Sequence, residues 1–74
     1  PNPTRGNFLI EIPETQHENY IIRIHSLTGV LLLEKQAELS TVTRLDISSY
    51  QSGLYMVTIE GEHGVVYATK IMKL

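Results

Sequence analysis

The sequence of 74 residues has no cysteine. Without thiols there are no disulfide staples, no zinc–thiolate site and no thiol nucleophile. That absence leaves an extracytoplasmic location open, since an oxidising compartment permits bridges without requiring them. Charge of one sign is also lacking. Six basic residues against eight acidic ones leave a net charge of −2, with no basic run. Nucleic acid and anionic membrane surfaces are therefore poor candidates for the main partner. No uninterrupted apolar stretch exceeds four residues, as in Val30–Leu33. This is far short of the ~20 residues a membrane helix needs, so no membrane insertion is expected. An initiating methionine and a basic-then-apolar leader are missing too, and the chain opens on Pro1-Asn2-Pro3-Thr4-Arg5-Gly6. It is expected to be a piece of something larger.

What is present suffices for one small domain. Nine Leu, eight Ile, five Val and one Phe make 23 of 74 residues, well above the roughly 20% below which chains stay disordered. A chain this short buries only about 60% of its unfolded surface, so residues 1–74 are expected to form a single domain with a thin core. Only two Ala occur, whereas Ile, Val and Thr together number twenty. β-Branched side chains lose χ1 freedom in a helix and pack well on a pleated surface, which favours strands.

The local patterns agree. Phe8, Ile10 and Ile12 alternate with Leu9 and Glu11, and Tyr20, Ile22 and Ile24 with Ile21, Arg23 and His25. Leu45 and Ile47 alternate with Arg44 and Asp46; Tyr55, Val57 and Ile59 alternate with Leu54, Met56 and Thr58. A period of two places each first-named set on one sheet face. Turn signals separate the runs at Pro13–Asn19, Thr28-Gly29, Glu38–Thr41, Ser48–Gly53 and Gly61–Gly64. Gly61-Glu62-His63-Gly64 is the strongest hairpin signal. Leu31–Leu39 holds good helix formers, but Gly29-Val30 is a weak helix start, so a strand is expected there. Six strands, with a short seventh at Pro1–Asn7, predict an all-β sandwich.

Residues that could carry chemistry are sparse. His17, His25 and His63 do not sit at metal-ligand spacing, and they read as solvated side chains. Ser26, Ser40, Ser48, Ser49 and Ser52 fall in turns, where hydroxyls bond the local backbone. There is no Gly-x-Ser-x-Gly elbow, and Asp46 is the only aspartate. Gly6, Gly29, Gly53, Gly61 and Gly64 open no helix and read as turn positions. Tyr20, Tyr50, Tyr55 and Tyr67 could stack on a sugar, but period-two placement among Ile and Val favours packing. No enzymatic activity is expected, because a two-layer domain this thin has little room for a cleft.

The order of these blocks is more specific than any one of them. Pro1-Asn2-Pro3-Thr4 is followed by Gly6-Asn7-Phe8, Ile24-His25-Ser26-Leu27-Thr28-Gly29 and Leu45-Asp46-Ile47-Ser48. Ser52-Gly53-Leu54-Tyr55-Met56-Val57 comes next, and the chain finishes on Lys70-Ile71-Met72-Lys73-Leu74. The whole resembles the type A C-terminal sorting domain of the Bacteroidetes type IX (Por) secretion system. Matching motif positions are Pro1, Asn2, Pro3, Gly6, Gly29, Ser52, Gly53, Tyr55 and Val57. Three positions depart from the family pattern: Ser26 where Asp is usual, Val30 where a basic residue is common, and Gln51 where Pro is frequent. A serine can bond turn backbone as an aspartate does.

The resemblance implies a small immunoglobulin-like β-sandwich of six to seven short, mostly antiparallel strands. It implies a secretion signal attached to an N-terminal cargo domain and no cofactor. Its partners would be outer-membrane translocon components and a sortase that removes the domain. The cargo would pass through the periplasm to the outer-membrane surface or the extracellular space. Lys70, Ile71, Met72, Lys73 and Leu74 are the candidate recognition strand, able to pair by strand addition if it lies at a sheet edge. The competing readings are an accessory immunoglobulin-like module that binds carbohydrate or protein, and a structural spacer.

Overall fold

A computed structural model describes residues 3–12, 19–37 and 42–74. Among the described residues there are six strands: β1 (Asn7–Glu11), β2 (Tyr20–Ser26), β3 (Leu31–Ala37), β4 (Val42–Asp46), β5 (Gly53–Gly61) and β6 (Gly64–Lys73). Strands β1 and β4 pair antiparallel as a two-stranded sheet, and the other four form an antiparallel sheet in the order β3-β2-β5-β6. Together they make a small immunoglobulin-like sandwich. Among the described residues of Pro1–Asn7, no seventh strand precedes β1; Thr4 makes an isolated parallel bridge to Lys73.

The alternation read from the sequence sets the faces. Phe8, Tyr20, Ile22, Ile24, Leu45, Ile47, Tyr55, Val57 and Ile59 are all buried, while Leu9, Glu11, Arg44 and Asp46 are exposed. Ile22, Ile24 and Ile47 lose all contact with solvent. Burial of this kind stabilises by about 1.5–3 kcal/mol for each large aliphatic side chain. Leu31–Ala37 is a strand despite its helix formers, because pairing with β2 from Tyr20↔Ala37 to His25↔Leu31 outweighs local propensity. Lys35 Nζ donates to Arg44 O at 2.9 Å, placing β4 toward the β3 side of the sandwich. An open apolar groove of about 240 Å³ between Leu9 and Ile10 of β1 and Tyr67 and Ile71 of β6 places β1 toward the other side.

The turns follow their local chemistry. Gly29 takes φ +93°, a conformation costly for any residue with a Cβ. Its N–H bonds Ser26 O at 3.0 Å, and the Val30 N–H bonds the Ser26 hydroxyl at 3.1 Å. Ser26 thus fills the turn role expected of it in place of an aspartate. Glu62 and His63 form the tip of the β5–β6 hairpin, with Gly61 opposite Gly64. The expected Glu38–Thr41 turn, and Pro13–Glu18 of the Pro13–Asn19 turn, lie outside the described residues, as do His17 and Ser40.

Candidate functional site

The segment ahead of β1 is held by several backbone and side-chain bonds. Thr4 is only 3% exposed although it lies outside any strand. Its hydroxyl accepts the Gly6 N–H at 3.1 Å and donates to Asn7 O at 3.1 Å, closing a tight local turn. Thr4 N–H donates to Met72 O at 2.8 Å, and Leu74 N–H donates to Thr4 O at 2.9 Å. Gly6 has φ +140°, and a Cβ there would lie 2.6 Å from Ser48 Cα, so both backbone and space demand glycine. The Ile47 N–H donates to Gly6 O at 2.7 Å. Residues 3–6 are therefore tied to the end of β6 on one side and to the β4–β5 connection on the other.

β6 is an edge strand, as its proposed role needs. Its last residues present two kinds of surface. Ile71 is buried in the core and Lys73 is half-buried, while Lys70, Met72 and Leu74 are exposed. The outward backbone groups at Met72 and Leu74 are the ones bonded to Thr4.

A second cluster holds the connection from β4 to β5. The Asp46 carboxylate accepts the Ser48 N–H at 2.9 Å, and Tyr50 N–H donates to Ile47 O at 2.9 Å. Tyr55 O–H donates to Gln51 O at 2.6 Å, and its ring lies 5.5 Å from that of Tyr50 at an angle of 48°. The Tyr55 hydroxyl thus satisfies a backbone carbonyl over an otherwise buried ring. The Ser48 side chain and amide hold the Asp46 carboxyl below its ordinary range, with Arg44 adding attraction.

This shift has a defined sign. A carboxyl depressed in the folded state contributes stability above its unfolded pKa and loses it as pH falls through the folded value. Asp46→Ala should therefore lower the urea midpoint at neutral pH, and the gap to the unmodified protein should close in strong acid. A gap that stays constant from neutral pH to pH ~2 would show that the carboxylate charge plays no part.

The outer face of the larger sheet carries a cross-strand ion triad. Arg23 Nε lies 2.7 Å from Glu34 Oε2 and Nη1 lies 2.7 Å from Glu60 Oε1. The bonds to Glu60 and then Glu34 raise the pKa of the guanidinium. Such partly exposed pairs add little stability, but they fix the register of β3, β2 and β5 at the surface.

The positions singled out from the sequence do not gather into one pocket. Pro1 and Asn2 lie outside the described residues. Pro3 and Gly6 belong to the Thr4 segment, Gly29 to the β2–β3 turn, and Ser52 and Gly53 to the start of β5. Tyr55 and Val57 face the core. Most of these positions shape the backbone or fill the interior. Among the tyrosines, Tyr20 and Tyr55 are core residues, Tyr50 packs against the core and Tyr67 is 55% exposed, so they form no shared platform. Among the described residues, no group of three His, Asp or Glu side chains is placed to hold a metal ion.

The sequence reading gave Thr4 no role of its own. A threonine two residues before a glycine is the available signal, since its hydroxyl can bond that glycine's N–H. Nothing local points to its contact with Met72 and Leu74.

The family profile described as a secretion system C-terminal sorting domain matches residues 1–73. The chain is also similar to an ulvan lyase of Nonlabens ulvanivorans, at 28% identity over 72 residues. That alignment takes in 97% of this chain but 13% of the lyase, so the chain spans only a small part of that relative's length.

Proposed function

Because the chain belongs to the secretion system C-terminal sorting domain family, we propose that it works as an address on an exported cargo and takes no part in that cargo's own activity. Domains of this family are the C-terminal secretion signals of the type IX secretion system. Such a signal implies export to the cell surface or the extracellular space. The family match over residues 1–73 carries this reading, and the accessory-module alternative is not favoured.

The finer steps follow from what a folded address must do. A translocon component at the outer membrane reads the folded domain from the periplasmic side, and a sortase then separates it from the cargo. The domain is substrate in both steps. Its hydroxyls fit that passive role: those of Ser26, Thr28, Thr4 and Tyr55 are engaged in local bonds. The motif positions Gly29, Ser52, Gly53, Tyr55 and Val57 act by shaping the fold that is read, whereas Pro3 and Gly6 belong to the segment seated ahead of β1. Lys70–Leu74 is the strand read by the receptor, supported by its place at a sheet edge and by the exposure of Lys70, Met72 and Leu74.

The direct test is a fusion of residues 1–74 to the end of an exported reporter in a type IX-competent host. The expected result is reporter at the cell surface or in the medium. Retention in the periplasm, with an established sorting domain secreted in parallel, would overturn the proposal.

A further inference from the structure

The receptor-facing end of β6 already has a strand partner within the domain. Thr4 N–H and Thr4 O engage Met72 O and Leu74 N–H, the two outward backbone groups that a strand added at this end would need. We propose that residues 3–6 form an autoinhibitory strap, and that a partner's extended backbone can take the end of β6 only after this strap has left. This inference rests on Lys70–Leu74 being the recognised strand, and it names how that strand is regulated.

The strap is built to be held in one place and to leave as a unit. Among the described residues, it meets β6 at the parallel bridge of Thr4 with Lys73. Its other anchors are the bonds of the Thr4 hydroxyl to Gly6 and Asn7, close by in the chain, and one long-range bond from the Ile47 N–H to Gly6 O. The partner that fits is one whose own extended backbone replaces both bonds at once and continues along β6. While the strap stays docked, the end of β6 is guarded against indiscriminate strand pairing.

The chain has no cysteine, so a covalent lock can be placed cleanly. Thr4→Cys with Lys73→Cys puts thiols on the two residues opposed in the bridge. Neighbouring strands lie within the Cα separation a disulfide spans, and the periplasm is oxidising. In the reporter fusion, the oxidised double variant should be retained in the periplasm, at least ten-fold less exported than either single variant. Reductant in the medium should restore export. Full export of the fusion with its bridge shown to be intact would overturn the strap. Should the bridge fail to form, Gly6→Val supplies the opposite arm, because its Cβ would collide with Ser48 Cα at 2.6 Å and dislodge the strap.

In that arm, amide exchange at Thr4 and Leu74 should accelerate at least ten-fold while Ile22 and Val57 stay protected, and export should be no slower than that of the parent. A folded Gly6→Val fusion with fast exchange that is retained would equally overturn the proposal. If valine also unmasks Ile22 and Val57, Thr4→Ala replaces it with the same readings. The underlying reading fails separately: a fusion lacking Lys70–Leu74 that is still exported rejects the recognition strand itself. Retention of that truncation together with export of the locked fusion rejects the strap alone.

Discussion

A reporter fusion from which Lys70–Leu74 has been removed should stay in the periplasm, with export falling at least a hundred-fold. The lost residues form the end of an edge strand and carry the exposed side chains of Lys70, Met72 and Leu74. They also include Ile71, 5% exposed in the core, and the two backbone groups that hold Thr4. Truncation therefore removes the proposed recognition surface and loosens the fold around it. The two effects separate in the charge-reversed double variant Lys70→Glu with Lys73→Glu, which keeps Ile71 and the whole backbone. That variant should lose export at least ten-fold while its melting temperature moves by only a few degrees. Normal surface display of the truncated fusion would reject the role of the strand.

Ile22→Ala should bring the domain close to unfolding under ambient conditions. Ile22 is 0% exposed at the centre of the four-stranded sheet, between β3 and β5. Removing a fully buried aliphatic side chain costs about 2–5 kcal/mol, through lost transfer energy and the cavity left behind. A domain of this size has a total stability of roughly 4–11 kcal/mol. The melting temperature should fall by roughly 10–30 °C, since each kcal/mol shifts it by about 4–8 °C in so small a domain. The neighbouring change Ile21→Ala removes a side chain on the outer face and should cost less than ~1 kcal/mol. Urea unfolding of the two variants side by side checks both. Equal losses, or a larger loss at Ile21, would contradict the assignment of the faces.

Together these predictions divide the molecule's work. The interior is carried by alternating Ile, Val, Tyr, Leu and Phe from both sheets. The charged groups contribute surface register more than stability, as with Arg23 between two half-exposed glutamates. The proposed address is at the margin, where the end of β6 meets the segment that leads into β1.

Much of this was legible in the sequence, because its determinants are local. A period of two assigns Tyr20, Ile22 and Ile24 to one face without any knowledge of their partners. The Ser26–Gly29 turn could be read from a hydroxyl and a glycine at the right spacing. The ordered blocks from Pro1 to Leu74 carried the family resemblance and, with it, the secretory role. Leu31–Ala37 was harder, since its propensity and its final pairing point in different directions.

What only the tertiary structure decided is the pairing of distant segments. No local pattern indicates that β1 joins β4 while β2 joins β3 and β5. None indicates that Thr4, in the segment expected to be a seventh strand, bridges to Lys73. That contact joins nearly the two ends of the chain, and its hydrogen bonds exist only once both sheets have packed and brought Gly6 against Ser48. Side-chain alternation reports which way a residue faces; it carries no information about which backbone will lie alongside. For this protein, fold class and secretory role were therefore set by local pattern and motif order, and the state of the strand proposed for recognition was set by a long-range backbone contact.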